Sequence, residues 1–159
     1  MLRLDAFVQY REAVAQLRDE QPTEALLSIR RAVDLDPLNA YYLSYCGLIL
    51  AHAEGRYAEA EDFCNRALRM ERKQAQLYLN LADVYSLAGR RQDAADALSR
   101  GLRYAPRDYR LRTELSRLAL RRPPVLPFLE RRHVLNRSLG RMRHRALQLF
   151  NEAKPVPQY

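Results

Sequence analysis

A chain of 159 residues with 48% apolar composition is long enough to bury a core and too apolar for a disordered tail. No apolar run approaches a membrane span, and the N-terminal MLRLDAFVQYREAVAQL carries charges where a signal peptide needs an unbroken apolar segment, so a cytoplasmic location is expected. The net charge of +8 is uneven: residues 1–99 hold 12 Arg/Lys and 15 Asp/Glu, whereas residues 100–145 hold 14 Arg and three acids. A mildly acidic body therefore precedes a strongly basic C-terminal third, for which an anionic partner must be considered.

In chain order, the apolar residues recur at the i, i+3, i+4, i+7 spacing of helix faces. Tyr10, Ala13, Val14 and Leu17 pair with Ala25, Ile29, Ala32 and Val33, and Pro37 closes this first hairpin. Leu43, Cys46, Gly47 and Leu50 form the next face, Gly55 marks the turn, and Ala60, Cys64, Ala67 and Leu68 form the return helix. A third hairpin carries Tyr78, Leu81, Ala82 and Tyr85, ends its first helix at Gly89, and returns through Ala94, Leu98, Gly101 and Leu102 to Pro106. The small residues at 82, 94 and 101 predict close helix crossings, filled around by the tyrosines and Leu98. A further helix over roughly 107–121 presents Leu111, Leu115 and Leu118 before RRPPVLP breaks it. Beyond it, Phe128, Leu135, Leu139, Met142, Ala146 and Leu149 make a narrow apolar stripe. Arg131, Arg132, Arg137, Arg141 and Arg145 line its basic side, and NEAKPVPQY reads as an extended end.

The landmarks repeat at about 34 residues. Tyr78, Leu81, Ala82, Tyr85, Ala94, Leu98 and Pro106 resemble the tetratricopeptide repeat (TPR) motif, W-x2-L-G-x2-Y, then A-x3-F, then P. The second copy matches without the closing Pro, the first mainly from Glu24-Ala25 to Pro37, and the fourth keeps only its first helix, with Arg112 at an apolar position. The resemblance covers about residues 6–121 and implies an all-α, right-handed α-solenoid of helical hairpins. The expected organisation is a TPR region over 1–122, a Pro turn and basic capping helix over 123–151, and a tail over 152–159.

Catalytic constellations are absent from the sequence. There is no Gly-rich phosphate loop, no G-x-S-x-G and no H-E-x-x-H, and His52, His133 and His144 are scattered. Cys46 and Cys64 read as small buried hydrophobes; the sequence leaves a disulfide open, and a metal site built on them would lack its other ligands. A non-catalytic protein without cofactor or metal is expected.

Function then falls to surface. The resemblance implies a concave groove lined by the first helix of each repeat, and helical geometry selects the residues opposite each packed stripe. These are Tyr41, Tyr45, Leu48 and His52, then Gln76, Asn80, Asp83 and Leu87, then Arg110, Glu114, Arg117 and Arg121. The expected use is an adaptor or scaffold that holds a peptide or helix of another protein. Tyr41, Tyr45 and Leu48 would meet its apolar side chains, Asn80 its backbone, and Arg110 and Arg117 its acidic groups. A competing reading packs Tyr41 and Tyr45 on the first repeat instead. Relatives that grip the chaperone tail EEVD use Lys, Arg and Asn at sites that match Ser44, Leu48, Asn80, Arg110 and Glu114 here, and only Asn80 and Arg110 fit. Three alternatives attach to the C-terminal helix: nucleic acid or an anionic membrane surface held by the arginines of 121–145, and self-association through the apolar stripe. Sparse aromatic interleaving there ranks nucleic acid below the peptide reading.

Overall fold

The computed structural model describes residues 2–118, and the chain divides into two compact units, Met1–Leu120 and Arg121–Tyr159. The expected capping helix, with its arginines and apolar stripe, lies outside the described residues. The described residues form seven helices: α1 (Leu2–Arg18), α2 (Pro22–Leu35), α3 (Ala40–Glu54), α4 (Tyr57–Met70), α5 (Ala75–Leu87), α6 (Arg91–Tyr104) and α7 (Tyr109–Leu118). Among the described residues no helix is long and apolar enough to cross a membrane.

Local chemistry sets the ends of these elements. Pro22 opens α2, where its missing N–H costs nothing and its fixed φ suits a helix start. The Asn39 side chain accepts from the backbone N–H groups of Tyr41 and Tyr42 and so caps α3. The turns after α3 and α5 need left-handed residues, and Gly55 (φ 64°) and Gly89 (φ 74°) supply them. The corresponding position after α1 is Glu20 at φ 59°, so the first hairpin makes the same turn without glycine.

Packing then follows the apolar stripes. Helices pair as α1/α2, α3/α4 and α5/α6, and α7 lies against α6. The first helices also stand side by side, α1 with α3, α3 with α5 and α5 with α7, whereas the backbones of α2, α4 and α6 stay apart from one another. A ribbon tight along one layer and splayed along the other curves toward the tight layer. The odd helices therefore form its inner wall. Two adjoining cores run through it, one centred on Ile29, Cys46 and Ile49 and one on Leu77, Leu81, Leu98 and Leu111, with Phe63, Tyr41 and Tyr45 touching both.

The closeness of the second and third hairpins rests on two side chains that are missing. A Cβ at Gly47 would stand 2.5 Å from the Ala60 carbonyl oxygen and 2.9 Å from Cys64 Sγ. At Gly101 it would stand 2.9 Å from Cβ and Cγ of Tyr78. Cys46 and Cys64 are free and buried among these contacts, and burial pushes their thiols up to about 11 and about 12. They serve as small apolar fillers, inert as nucleophiles. Gly47→Ala should therefore destabilise the protein by about 2 kcal/mol, because a backbone oxygen cannot move aside as a flexible side chain can. Urea unfolding reads this directly; a midpoint equal to that of the parent protein would mean that the crossing is looser than described.

Candidate functional site on the inner wall

The inner wall is assembled from the polar sides of α3, α5 and α7, and a continuous seam of hydrogen bonds crosses all three. It starts at Asp108, whose carboxylate accepts from the backbone N–H of Arg110 (2.9 Å) and of Leu111 (3.4 Å) and so caps α7. The same carboxylate pairs with the Arg110 guanidinium at 2.9 Å, which holds the Asp108 carboxyl below the usual range. Arg110 Nη1 next donates to Gln76 Oε1 (2.9 Å), and Gln76 Nε2 donates to Asn80 Oδ1 one turn further along α5 (2.8 Å). Asn80 Nδ2 donates across to Ser44 Oγ on α3 at 3.0 Å. Each amide along this path satisfies one neighbour with its oxygen and another with its nitrogen, as buried polar groups must.

This seam changes the roles expected for several residues. Asn80 is 1% exposed with both ends of its carboxamide engaged, and Leu48 is 7% exposed within the core. Both hold the wall together and present no free surface to a ligand. Arg110 is tied to Asp108 and Gln76, and Arg117 donates to Glu114 at 3.0 Å. The arginine end is therefore neutralised by its own acids, since every guanidinium expected to take a ligand carboxylate already has one.

Tyr41 and Tyr45 combine the two readings open to them. The Tyr45 ring meets Tyr10 of α1 edge-on, with centroids 5.2 Å apart, and Tyr10 also packs on Tyr42 at 5.1 Å. Tyr41 donates its hydroxyl to Gln74 Oε1 at 2.7 Å. Both rings are half-buried. Burial raises the Tyr41 hydroxyl, Glu71 adds to that, and the Arg110 charge opposes it, which places Tyr41 and Arg110 at the same end of the hollow. The wall thus brings Tyr41, Tyr45, Gln76 and Arg110 together.

Deeper along the wall the character is acidic. Asp83 of α5 is open to solvent but recessed in the hollow; loss of bulk water, and then the like charge of Glu114 on α7, push its carboxyl up to about 6. The His52 imidazole on α3 is lowered by the same loss of hydration. Leu87, one turn past Asp83, is exposed. Among the described residues no group of three or more His, Cys, Asp or Glu could hold a metal ion.

Asp83 gives the wall a pH signature. Unfolded, an aspartate titrates near ~3.9, so between about pH 4 and pH 6 the folded chain keeps a proton that the unfolded chain has lost. That window is where stability falls as pH rises. Asp83→Asn should remove the fall, raising the melting temperature by roughly 2 °C at about pH 7, a figure kept small for a solvent-exposed group, and leaving it unchanged near about pH 4. A gain of equal size at both pH values would show that Asp83 is not the group responsible.

The sequence agrees with known families over most of the described chain. Family models for the tetratricopeptide repeat match residues 10–77 and 51–120. No curated protein matches the chain in sequence. Among solved structures, the first TPR of Spaghetti (RPAP3), bound to HSP90 peptide SRMEEVD, is similar with a TM-score of 0.62 at 19% identity, covering 74% of this chain and 94% of that one. The second TPR domain of human RPAP3, in complex with HSP70 peptide SGPTIEEVD, gives 0.61 at 17% identity over 75% of this chain and 98% of that one. The Sgt2 TPR domain from Aspergillus fumigatus gives 0.62 at 13% identity over 97% of this chain and 86% of that one. At these identities the likeness is one of fold. With both family models in register with the observed hairpins, the chain belongs to the tetratricopeptide repeat family.

Proposed function

We propose that this protein is a non-catalytic adaptor of the cytoplasm that docks a segment of another protein along the inner wall of α3, α5 and α7. The observation that carries this reading is the set Tyr41, Tyr45, Gln76 and Arg110: Asp108 and Asn80 hold Arg110 and Gln76, Gln74 holds Tyr41, and Tyr45 packs on Tyr10. A surface whose side chains are already fixed loses little rotamer freedom when a ligand arrives, which favours binding. The two tyrosines offer half-exposed rings to apolar side chains, and Gln76 and Arg110 border them with polar groups suited to a peptide backbone. Asp83 and Glu114, close enough for Glu114 to raise the Asp83 carboxyl, call for a basic ligand side chain between them. Arg117 remains at the rim as a partner of Glu114.

Two of the similar structures hold chaperone-tail peptides. A like role is disfavoured for this chain. Ser44 and Asn80 are buried, Leu48 is apolar, Arg110 is already paired, and Glu114 would repel a terminal carboxylate. The preferred ligand is an internal segment with an apolar residue and a Lys or Arg about one helical turn or a few extended residues apart. The arginines of 121–145, Arg131, Arg132, Arg137, Arg141 and Arg145 among them, keep their claim on an anionic surface from composition alone.

Selection of peptides from a random display library on the full chain tests the groove. Selected peptides should carry Lys or Arg, and Gln76→Ala with Arg110→Ala should weaken them at least about tenfold, the usual cost of losing hydrogen bonds that include a charged partner. The melting temperature of that double variant should fall, because Gln76→Ala leaves the buried Asn80 Oδ1 without its donor, whereas Arg110→Ala alone, at an exposed side chain, should stay within a few degrees of the parent value and still weaken the peptides. Peptides that bind the double variant as tightly as the parent would place the binding surface elsewhere.

A further inference from the structure

The outer side of the ribbon holds a second concentration of charge that the inner-wall reading leaves unused. Between α4, α5 and α6 lies a cleft of about 240 Å³ whose lining includes Arg69, Arg72, Arg100, Arg103, Tyr78 and Tyr104. No carboxylate lines it. Six acids of the described region, Glu54, Glu59, Glu61, Asp93, Asp108 and Glu114, pair with other arginines. None of the four cleft arginines enters an ion pair or donates a side-chain hydrogen bond among the described residues.

The close crossing at Gly101 creates this arrangement. Because α6 carries no side chain there, it settles on Tyr78, and the residues flanking that glycine, Arg100, Arg103 and Tyr104, line one cleft with Arg69 in the last turn of α4 and Arg72 just beyond it. Tyr78 donates its hydroxyl to the backbone carbonyl of Arg72 at 3.0 Å, which fixes the floor of the cleft. Its ring lies nearly parallel to that of Tyr104, at 14° with centroids 6.0 Å apart. Tyr104 is 47% exposed. Burial raises the Tyr78 hydroxyl while the charges of Arg100, Arg72 and Arg103 oppose it, in agreement with guanidinium groups gathered around one point.

The last turns of α4 and α6 favour a cation each, which accounts for Arg69 and Arg103 singly. They do not account for four guanidiniums sharing one acid-free cleft, where a bound anion would relieve their mutual repulsion. A duplex is too large for the space, and a carboxylate side chain too small to use both the charge and the ring. We propose that this outer cleft binds a nucleotide, its phosphates on Arg69, Arg72, Arg100 and Arg103 and its base stacked on Tyr104. The site is independent of the inner wall, so either can fail without the other.

Calorimetric titration of the full chain in dilute salt decides the matter, with ADP, inorganic pyrophosphate and a polyglutamate peptide as probes. ADP should bind at least about tenfold more tightly than pyrophosphate, since stacking of one base adds to the charge. Arg72→Gln with Arg100→Gln should weaken both phosphate probes at least about tenfold without altering the circular dichroism melt, because both side chains are exposed. Tyr104→Leu should bring ADP down to the affinity of pyrophosphate and leave pyrophosphate unchanged. Equal binding of ADP and pyrophosphate by the parent protein, undiminished binding by the arginine variant, or tighter binding of polyglutamate would each overturn the proposal. A short single-stranded oligonucleotide that displaces ADP, and is lost with the same arginines, would identify the source as a strand; failure to displace it would identify the free nucleotide.

Discussion

At Gly47 the backbone of α3 comes so near α4 that one added carbon would stand 2.5 Å from a carbonyl oxygen, and at Gly101 the same closeness is set against Tyr78. Every larger feature depends on these contacts. Ala60, Ala67, Ala94 and Ala97, all fully buried, extend the same narrow spacing along the hairpins. With helices this close, the bulky residues fill the gaps beside each crossing, and the first helices line up while the second helices splay. Curvature is thus a consequence of where side chains are missing, and the inner wall exists because of that curvature.

The wall in turn needs its own polar bookkeeping. Three amphipathic helices brought edge to edge bury the Ser44 hydroxyl and the Asn80 amide away from water, and each must find a protein partner. Ser44, Asn80, Gln76, Arg110 and Asp108 settle this in one seam running from the middle of α3 to the start of α7. The seam stabilises the wall modestly, bond by bond, but it costs much more to interrupt than it contributes, because a broken link leaves a buried amide without a partner. It also decides chemistry: Arg110 is spent on Asp108 and Arg117 on Glu114, and among the described residues Asp83 is the acid of the wall without an ion-pair partner.

Much of this was legible in the sequence, and the part that was not has a physical reason. Helix faces, turn glycines and the repeat could be read because each depends on residues a few positions apart on one element; Tyr78, Leu81, Ala82 and Tyr85 are all buried as their spacing requires. The faces of α3, α5 and α7 could be chosen by the same rule, and Tyr41, Tyr45, Gln76 and Arg110 do meet there. What one helix cannot tell is which of its polar residues a neighbouring helix will consume. Asn80 lies on the expected face, yet Ser44, 36 residues earlier, takes its amide. The pairing of Arg110 was nearer to hand, since Asp108 two residues before it, just after Pro106, has the position of a helix cap. The outer cleft is not legible in the sequence because its arginines belong to two repeats and converge through the close crossing at Gly101.

The most direct measurement of the central claim is hydrogen exchange at the Asn80 carboxamide, followed by side-chain nuclear magnetic resonance. If the close crossings set the inner wall as described, its protons exchange far more slowly than those of Gln92, a side chain on the exposed face of α6. Exchange of Asn80 as fast as that of Gln92 would mean that the seam is open to water and that the wall is not the preformed surface described.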